Sequence, residues 1–259
     1  MRFKHLICTI ENNVATVTID HPPVNALNAD VYRDLHDVMD ELEENKKVRA
    51  IILTGKGEKA FAAGADVKEM AEKNIKDLNQ MNKRSRAAYS KIENLSKPVI
   101  AAINGLALGG GLELVLACDL RISSDTARFS FPEVGLGIIP GGGGTQRLQK
   151  IVGQGIAKEL IYFGDMFDAK KAQELQLVNK VVPGAELTGE AYAWAEKLAE
   201  KPAVALEMAK LAIHQGREVD TTSGLIMETT AFATAFSSED AKEGLSAFVD
   251  KRKPKFSGK

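Results

Sequence analysis

Near the start of the chain, Ala15, Val17 and Ile19 interleave with Thr16 and Thr18, the period-two pattern of a strand with one buried face. With the Asn12-Asn13 dipeptide before it, this predicts a hairpin of two strands over residues 3–10 and 14–20. The period then changes. Beyond Pro22-Pro23, Val31, Leu35, Val38, Met39 and Leu42 recur at helical spacing behind Asn28, a residue type that caps helix amides with its side chain. Residues 50–54 are an unbroken apolar run closed by Gly55, which predicts a buried strand. An amphipathic helix is predicted over 75–95, and a second buried strand over 99–103 after Pro98.

From 104 to 144 the chain turns glycine-rich around short apolar elements. Gly109-Gly110-Gly111 precedes a helix predicted over 111–118, strands follow near 120–123 and 127–131, and a further glycine run occupies 141–144. Such turns mark close approach of backbone to a ligand or to other backbone. Past Gly153 the pattern is helical except for a strand predicted at 178–182, and packed helices are expected within 198–214 and 225–248. The alternation predicts an α/β protein with a β/α spiral core over residues 1–195 and a helical C-terminal subdomain over 196–259. Neither a repeat of 20 to 50 residues nor a low-complexity tract is visible.

Composition narrows the function classes. At 259 residues, 44% hydrophobic and 27% charged, the chain is that of a soluble globular protein. Lys plus Arg number 34 against 35 Asp plus Glu, and a net charge of −1 offers no general attraction to nucleic-acid backbones or anionic lipid. Cys8 and Cys118 have no second Cys or His at metal-ligand spacing, so buried thiols in a reducing compartment are expected. The charged residues among the first eleven break any signal-peptide core, and no apolar run reaches membrane-spanning length. A cytoplasmic location is the expectation.

His5, His21, His36 and His214 are scattered, none beside a Ser or Cys in a nucleophile-elbow setting, which argues against a Ser/His/Asp hydrolase. Gly109-Gly110-Gly111 lacks dinucleotide-binding spacing, and Gly55-Lys56-Gly57 is no phosphate-binding loop. What remains is a helix N-terminus whose unpaired amides and positive dipole end favour negative charge. Glu113, three residues into that helix, and Glu133, behind Phe131-Pro132, are candidate acid/base groups for the same pocket. The same positions also suit a capping-box glutamate and a turn residue.

Three segments sharpen the choice. Phe61-Ala62-Ala63-Gly64-Ala65-Asp66-Val67-Lys68-Glu69-Met70, Asn104-Gly105-Leu106-Ala107-Leu108-Gly109-Gly110-Gly111-Leu112-Glu113-Leu114, and Phe131-Pro132-Glu133-Val134-Gly135-Leu136-Gly137 with residues 140–147 resemble the enoyl-CoA hydratase (crotonase) family. The resemblance runs from Asn25-Ala26-Leu27 to Glu243-Gly244-Leu245 and Phe248.

The resemblance implies a crotonase-like ββα spiral and an acyl-CoA substrate. It places an oxyanion hole for the thioester carbonyl at the backbone N–H groups of Ala65 and Gly110, where two fixed donors stabilise an enolate oxygen. Both positions that hold water in hydrating members are Glu here: Glu133 would deliver a proton to the α-carbon and Glu113 would orient and deprotonate water. A carboxylate in an apolar pocket beside another is raised toward neutrality. Ala63, Asp66 and Val67 would receive the adenine, while Phe232 and Lys251 would line the pantetheine and phosphate end. The implied activity is reversible hydration of a trans-2-enoyl-CoA in fatty-acid or related acyl-CoA metabolism, with coenzyme A part of the substrate and no metal or other cofactor. Enoyl-CoA isomerases, decarboxylases and RNA-binding members share the scaffold, so fold alone does not fix the reaction. A homotrimer or dimer of trimers is implied, without nucleic-acid or membrane partners.

Overall fold

The computed structural model describes residues 3–258; Met1, Arg2 and Lys259, which close the two expected domains, lie outside them. Strands β1 (Leu6–Glu11) and β2 (Val14–Ile19) form the expected antiparallel hairpin. Asn12 and Asn13 turn it with φ of 46° and 65°, the left-handed pair that matches strand twist in a two-residue connection. Helix α1 (Ala29–Glu44) is capped by Asn28, whose side chain accepts from the Val31 amide at 2.9 Å.

The chain then repeats one manoeuvre. It lays a strand in a six-stranded sheet, a shorter strand in a four-stranded sheet, and then a helix. The first round is β3 (Ala50–Gly55), β4 (Ala60–Ala63), α2 (Val67–Ala71) and α3 (Ile75–Glu93). The second is β5 (Val99–Ile103), β6 (Leu106–Leu108) and α4 (Gly110–Ala117). The third is β7 (Leu120–Ser124), β8 (Arg128–Ser130), a 3-10 turn at Pro132–Leu136 and α5 (Gly144–Val152). After α6 (Gln154–Phe163), β9 (Phe167–Asp168), α7 (Ala169–Glu174) and β10 (Lys180–Val182) complete the sheets. The strand orders are β1-β2-β3-β5-β7-β10 and β4-β6-β8-β9, with every pair parallel except β1–β2 and β8–β9. The repeat is one of backbone path, carried by interchangeable apolar residues, which is why it leaves no period in the sequence.

Both faces of the larger sheet are covered. Val17, Ile51, Leu53 and Ala101 join the buried sides of α1, α3 and α4 in the main core. Val14, Ile52, Ile100 and Ile122 face the other way onto Leu187, Ala191 and Ala195 of α8 (Leu187–Ala199), which continues through residue 195 to Ala199. Two-sided burial accounts for unbroken apolar runs in place of alternation. Cys118 is buried, whereas Cys8, on the edge strand β1, is only half-buried, contrary to expectation; both are free thiols.

Helices α9 (Ala203–Gly216), α10 (Thr221–Phe236) and α11 (Glu239–Val249) follow. The helical stretch expected from 198 is interrupted at Lys201-Pro202, because a proline in a helix interior removes an amide donor. The 225–248 stretch breaks at Ser237-Ser238, where the Ser238 hydroxyl accepts from the Ala241 amide at 3.0 Å and starts a new helix. Among the described residues, no helix is long and apolar enough to cross a membrane.

Candidate active site

Two crossings between the sheets build the site. Asn25 and Asn104 reach into the first of them, donating to the Ala60 carbonyl at 2.8 and 3.3 Å respectively. The chain ahead of α1 then fixes the end of β4. Ala63 donates its amide to the Val24 carbonyl at 3.1 Å, Leu27 donates to Gly64 at 2.8 Å, and Leu27 bridges to Ala65. In the second crossing β6 ends at Leu108, Gly109 donates to the Ser130 carbonyl at 2.9 Å, and α4 starts at Gly110.

Close approach brings the two ends together. A Cβ on Gly111 would stand 1.9 Å from the Ala62 carbonyl oxygen, so glycine alone admits α4 against β4. A Cβ on Gly110 would lie 3.5 Å from the Ala65 nitrogen. The first amides of a helix have no intrahelical acceptor. The Ala65 and Gly110 backbones therefore meet at a cleft of about 1040 Å³, lined also by Glu113 and Glu133.

The two carboxyls have opposite surroundings. Glu113 is 3% exposed and accepts from the Gly142 amide at 2.9 and 3.0 Å, one to each oxygen, and from Gly144 at 2.7 Å. Amides on either side of a left-handed residue, here Gly143 at φ +116°, make an anion-binding concavity, set at the N-terminus of α5. Burial pushes the Glu113 carboxyl up, and these amides and Arg147 oppose the rise.

Glu133 lies in the 3-10 turn after β8, and its buried Oε2 has no hydrogen-bond partner among the described residues. Burial, assisted by the neighbouring Glu113 charge, pushes its carboxyl up to about 7. A Cβ on residue 109 would stand 2.8 Å from Glu133 Oε1, and Gly109 has φ +48°, so glycine both makes the turn and leaves room for the carboxyl. Burial raises both carboxyls, but only Glu113 has amides that favour its ionised form, while Glu133 is poised to carry a proton at neutral pH, and that difference suits an acid/base pair.

Of the proposed CoA contacts, Ala63 and Val67 line the cleft beside Ala65. Asp66 lies just behind, its Oδ1 accepting from the Glu69 amide at 3.2 Å. Phe232 of α10 is 68% exposed and Lys251 follows α11; neither lines the cleft of its own chain. Sequence reasoning missed Tyr89, whose Oη donates to the Gly110 carbonyl at 2.8 Å, and Tyr32, edge-on to it with centroids 5.9 Å apart. Both sit on core-facing helix stripes, where a tyrosine reads as packing. The Gly142–Gly144 cradle was visible only as a glycine run. Among the described residues, no three His, Cys, Asp or Glu side chains are grouped to hold a metal ion.

Comparison with known proteins gives the family. Residues 9–259 match the family model for enoyl-CoA hydratase/isomerase. The chain is 45% identical over 254 residues to a short-chain-enoyl-CoA hydratase of Clostridium acetobutylicum, covering 98% of this chain and 97% of the other. It is 40% identical over 260 residues to a crotonyl-CoA hydratase of Syntrophomonas wolfei, covering 100% of both. The crystal structure of an enoyl-CoA hydratase from Bacillus anthracis superimposes with a TM-score of 0.95 at 41% identity, covering 99% of this chain and 100% of that one.

Proposed function

The chain belongs to the enoyl-CoA hydratase/isomerase family, and from that premise we propose that it is an enoyl-CoA hydratase, adding water reversibly across the double bond of a trans-2-enoyl-CoA to give a 3-hydroxyacyl-CoA. The observation that carries this reading is the presence of two carboxyls of opposite environment, Glu113 and Glu133, on the cleft that holds the Ala65 and Gly110 backbones.

In the proposed reaction the thioester carbonyl oxygen lies between the Ala65 and Gly110 amides. Glu113 takes a proton from water as the water oxygen bonds to the β-carbon. The electron pair of the double bond moves toward the thioester, and the enolate oxygen is stabilised by the two amides, each worth about 3 to 4 kcal/mol in comparable sites. Glu133 gives its proton to the α-carbon. Glu113 then holds one proton more and Glu133 one fewer, and transfer of that proton resets the pair. The addition is redox-neutral and needs no cofactor beyond the coenzyme A carried by the substrate.

We place the CoA chain along Ala63, Asp66 and Val67. Phe232 and Lys251 contribute its pantetheine and phosphate end across a subunit boundary, in a homotrimer or dimer of trimers. The C-terminal helices from about residue 196 form the assembling subdomain on the spiral core, the protein is cytoplasmic, and it serves fatty-acid or related acyl-CoA metabolism. Incubation with crotonyl-CoA tests the activity: loss of the conjugated enoyl-thioester absorbance is expected, and its persistence with folded protein rules the reading out.

A further inference from the structure

Arg147, on α5, is one of the most enclosed cations of the chain. Its side chain is 12% exposed, and its guanidinium makes contacts on two sides. Nε and Nη2 donate to Glu93 Oε2 at 3.0 and 2.7 Å, while Nη1 donates to the Gly142 carbonyl at 3.0 Å. Glu93, at the end of α3, is held from its other oxygen by Arg217 Nη2 at 3.5 Å. A Cβ on Gly143 would stand 2.3 Å from Arg147 Nη1, so the fork enters the loop only past a glycine.

The residue that Arg147 grips is part of the Glu113 cradle. The Gly142 carbonyl accepts from the guanidinium, and the Gly142 amide donates to both oxygens of the Glu113 carboxylate. A guanidinium anchored on the carbonyl thus fixes the residue whose amide fixes the carboxylate. We propose that Arg147 is a positioning residue for Glu113: through Gly142 and its own charge, it keeps that carboxylate in place and favours its ionised form as the base that activates water.

The other groups facing Glu113 cannot replace it. They are Glu133 in the turn after β8, Tyr32 on α1 and Tyr89 on α3. None of them supplies positive charge: burial keeps the two tyrosine hydroxyls protonated and neutral, and an ionised Glu133 favours the protonated form of Glu113, so Arg147 supplies the opposing charge. A guanidinium fork spans the Glu93 carboxylate and the Gly142 carbonyl at once, which the point charge of an ammonium does not.

The inference rests on the hydratase reading, which wild-type turnover of crotonyl-CoA tests by itself. The test of Arg147 is the pH dependence of crotonyl-CoA hydration by Arg147→Gln and Arg147→Lys, with folding checked by circular dichroism. For Arg147→Gln the acidic limb of kcat/KM should move up by about one pH unit, the scale of losing one close opposite charge. Turnover at pH 7 should fall at least about tenfold, with KM within about threefold of wild type. Arg147→Lys keeps the charge and loses the fork, so its limb should stay within about 0.3 unit while kcat falls. A folded Arg147→Gln enzyme with an unmoved limb, or two variants displaced equally, overturns the proposal. Should Arg147→Gln not fold, Arg147→Lys decides: reduced kcat on an unmoved limb supports the role, and a displaced limb or wild-type kcat overturns it.

Discussion

The Gly144 amide donates to Glu113 Oε1 at 2.7 Å across 31 residues of chain, at the point where α5 begins. Glu113 is thereby treated as a bound anion, although it is buried among α4 residues that are otherwise apolar. Glu133 receives the reverse treatment, with a buried oxygen left unbonded among the described residues. The proposed roles of base and acid rest on donor placement, since the two side chains are chemically identical.

Replacing the acid isolates its contribution. Glu133→Gln keeps the shape of the turn and removes the transferable proton, so hydration of crotonyl-CoA should fall at least about a hundredfold, the usual scale for a positioned acid. Acyl-CoA binding, measured calorimetrically, should be nearly unchanged. Retention of more than about a tenth of wild-type turnover would remove Glu133 from the chemistry.

The raised Glu133 carboxyl sets a pH direction. Hydration starts from ionised Glu113 with protonated Glu133, and dehydration from the reverse placement of the same single proton, so kcat/KM in both directions should decline in parallel as pH rises through about 7 and the pair loses that proton. Initial rates in both directions from pH 5.5 to 8.5 check this; a kcat/KM that stays level to pH 8.5 would contradict the assignment.

The same shift is linked to stability. A carboxyl whose folded pKa is raised binds its proton more tightly in the native state. Its contribution is therefore fully present below the unfolded value and is lost as pH rises through about 7. Glu133→Gln is neutral at every pH and should melt higher than wild type at pH 8, by about 1 to 4 °C, with the gap closing by pH 4.5. The group is partly solvated, which keeps the gain at this modest scale. An equal difference at both pH values would mean that ionisation is not its cause.

Gly110 carries its role in the backbone. Proline is tolerated at the first position of a helix, so Gly110→Pro removes the proposed oxyanion donor while leaving a start that α4 can accept. Activity should vanish in a protein whose circular dichroism matches wild type. A folded variant with near-normal turnover would show that the donor lies elsewhere.

The hairpin, the Asn28 cap and the strands β3 and β5 were legible because each is long enough to show its period. The four-stranded sheet was not: β4 and β6 are Ala60–Ala63 and Leu106–Leu108, too short to show a period and adjoining the glycine turns. Glu113 and Glu133 were legible as candidates, first from their places beside a helix start and a strand end, then from the family resemblance. What holds Glu113 was not, since the Gly142–Gly144 amides come from a loop whose return to α4 no local pattern encodes. Tyr89 was invisible for another reason: its hydroxyl bond to Gly110 is a tertiary fact about a residue whose spacing says only that it is buried.

Assembly is the remaining expectation that can fail cleanly. Phe248 of α11 is 85% exposed, and Leu225, Ile226, Phe232 and Phe236 of α10 and Val249 of α11 are exposed with it. Apolar patches of this kind mark interaction surfaces more often than free ones. Phe232 and Lys251 lie on or just beyond the same helices, away from the cleft of their own chain, so a neighbouring subunit would bring them to a CoA site. Ligand that bridges two subunits favours the assembled state by mass action. Light scattering at micromolar concentration should therefore give a trimer or hexamer of the 28.0 kDa chain. Phe248→Asp should weaken that assembly and raise KM for crotonyl-CoA together, because the mutated face and the missing half of the CoA site belong to one contact. A fully active monomer, with KM unchanged by dilution, would show that α10 and α11 serve neither purpose.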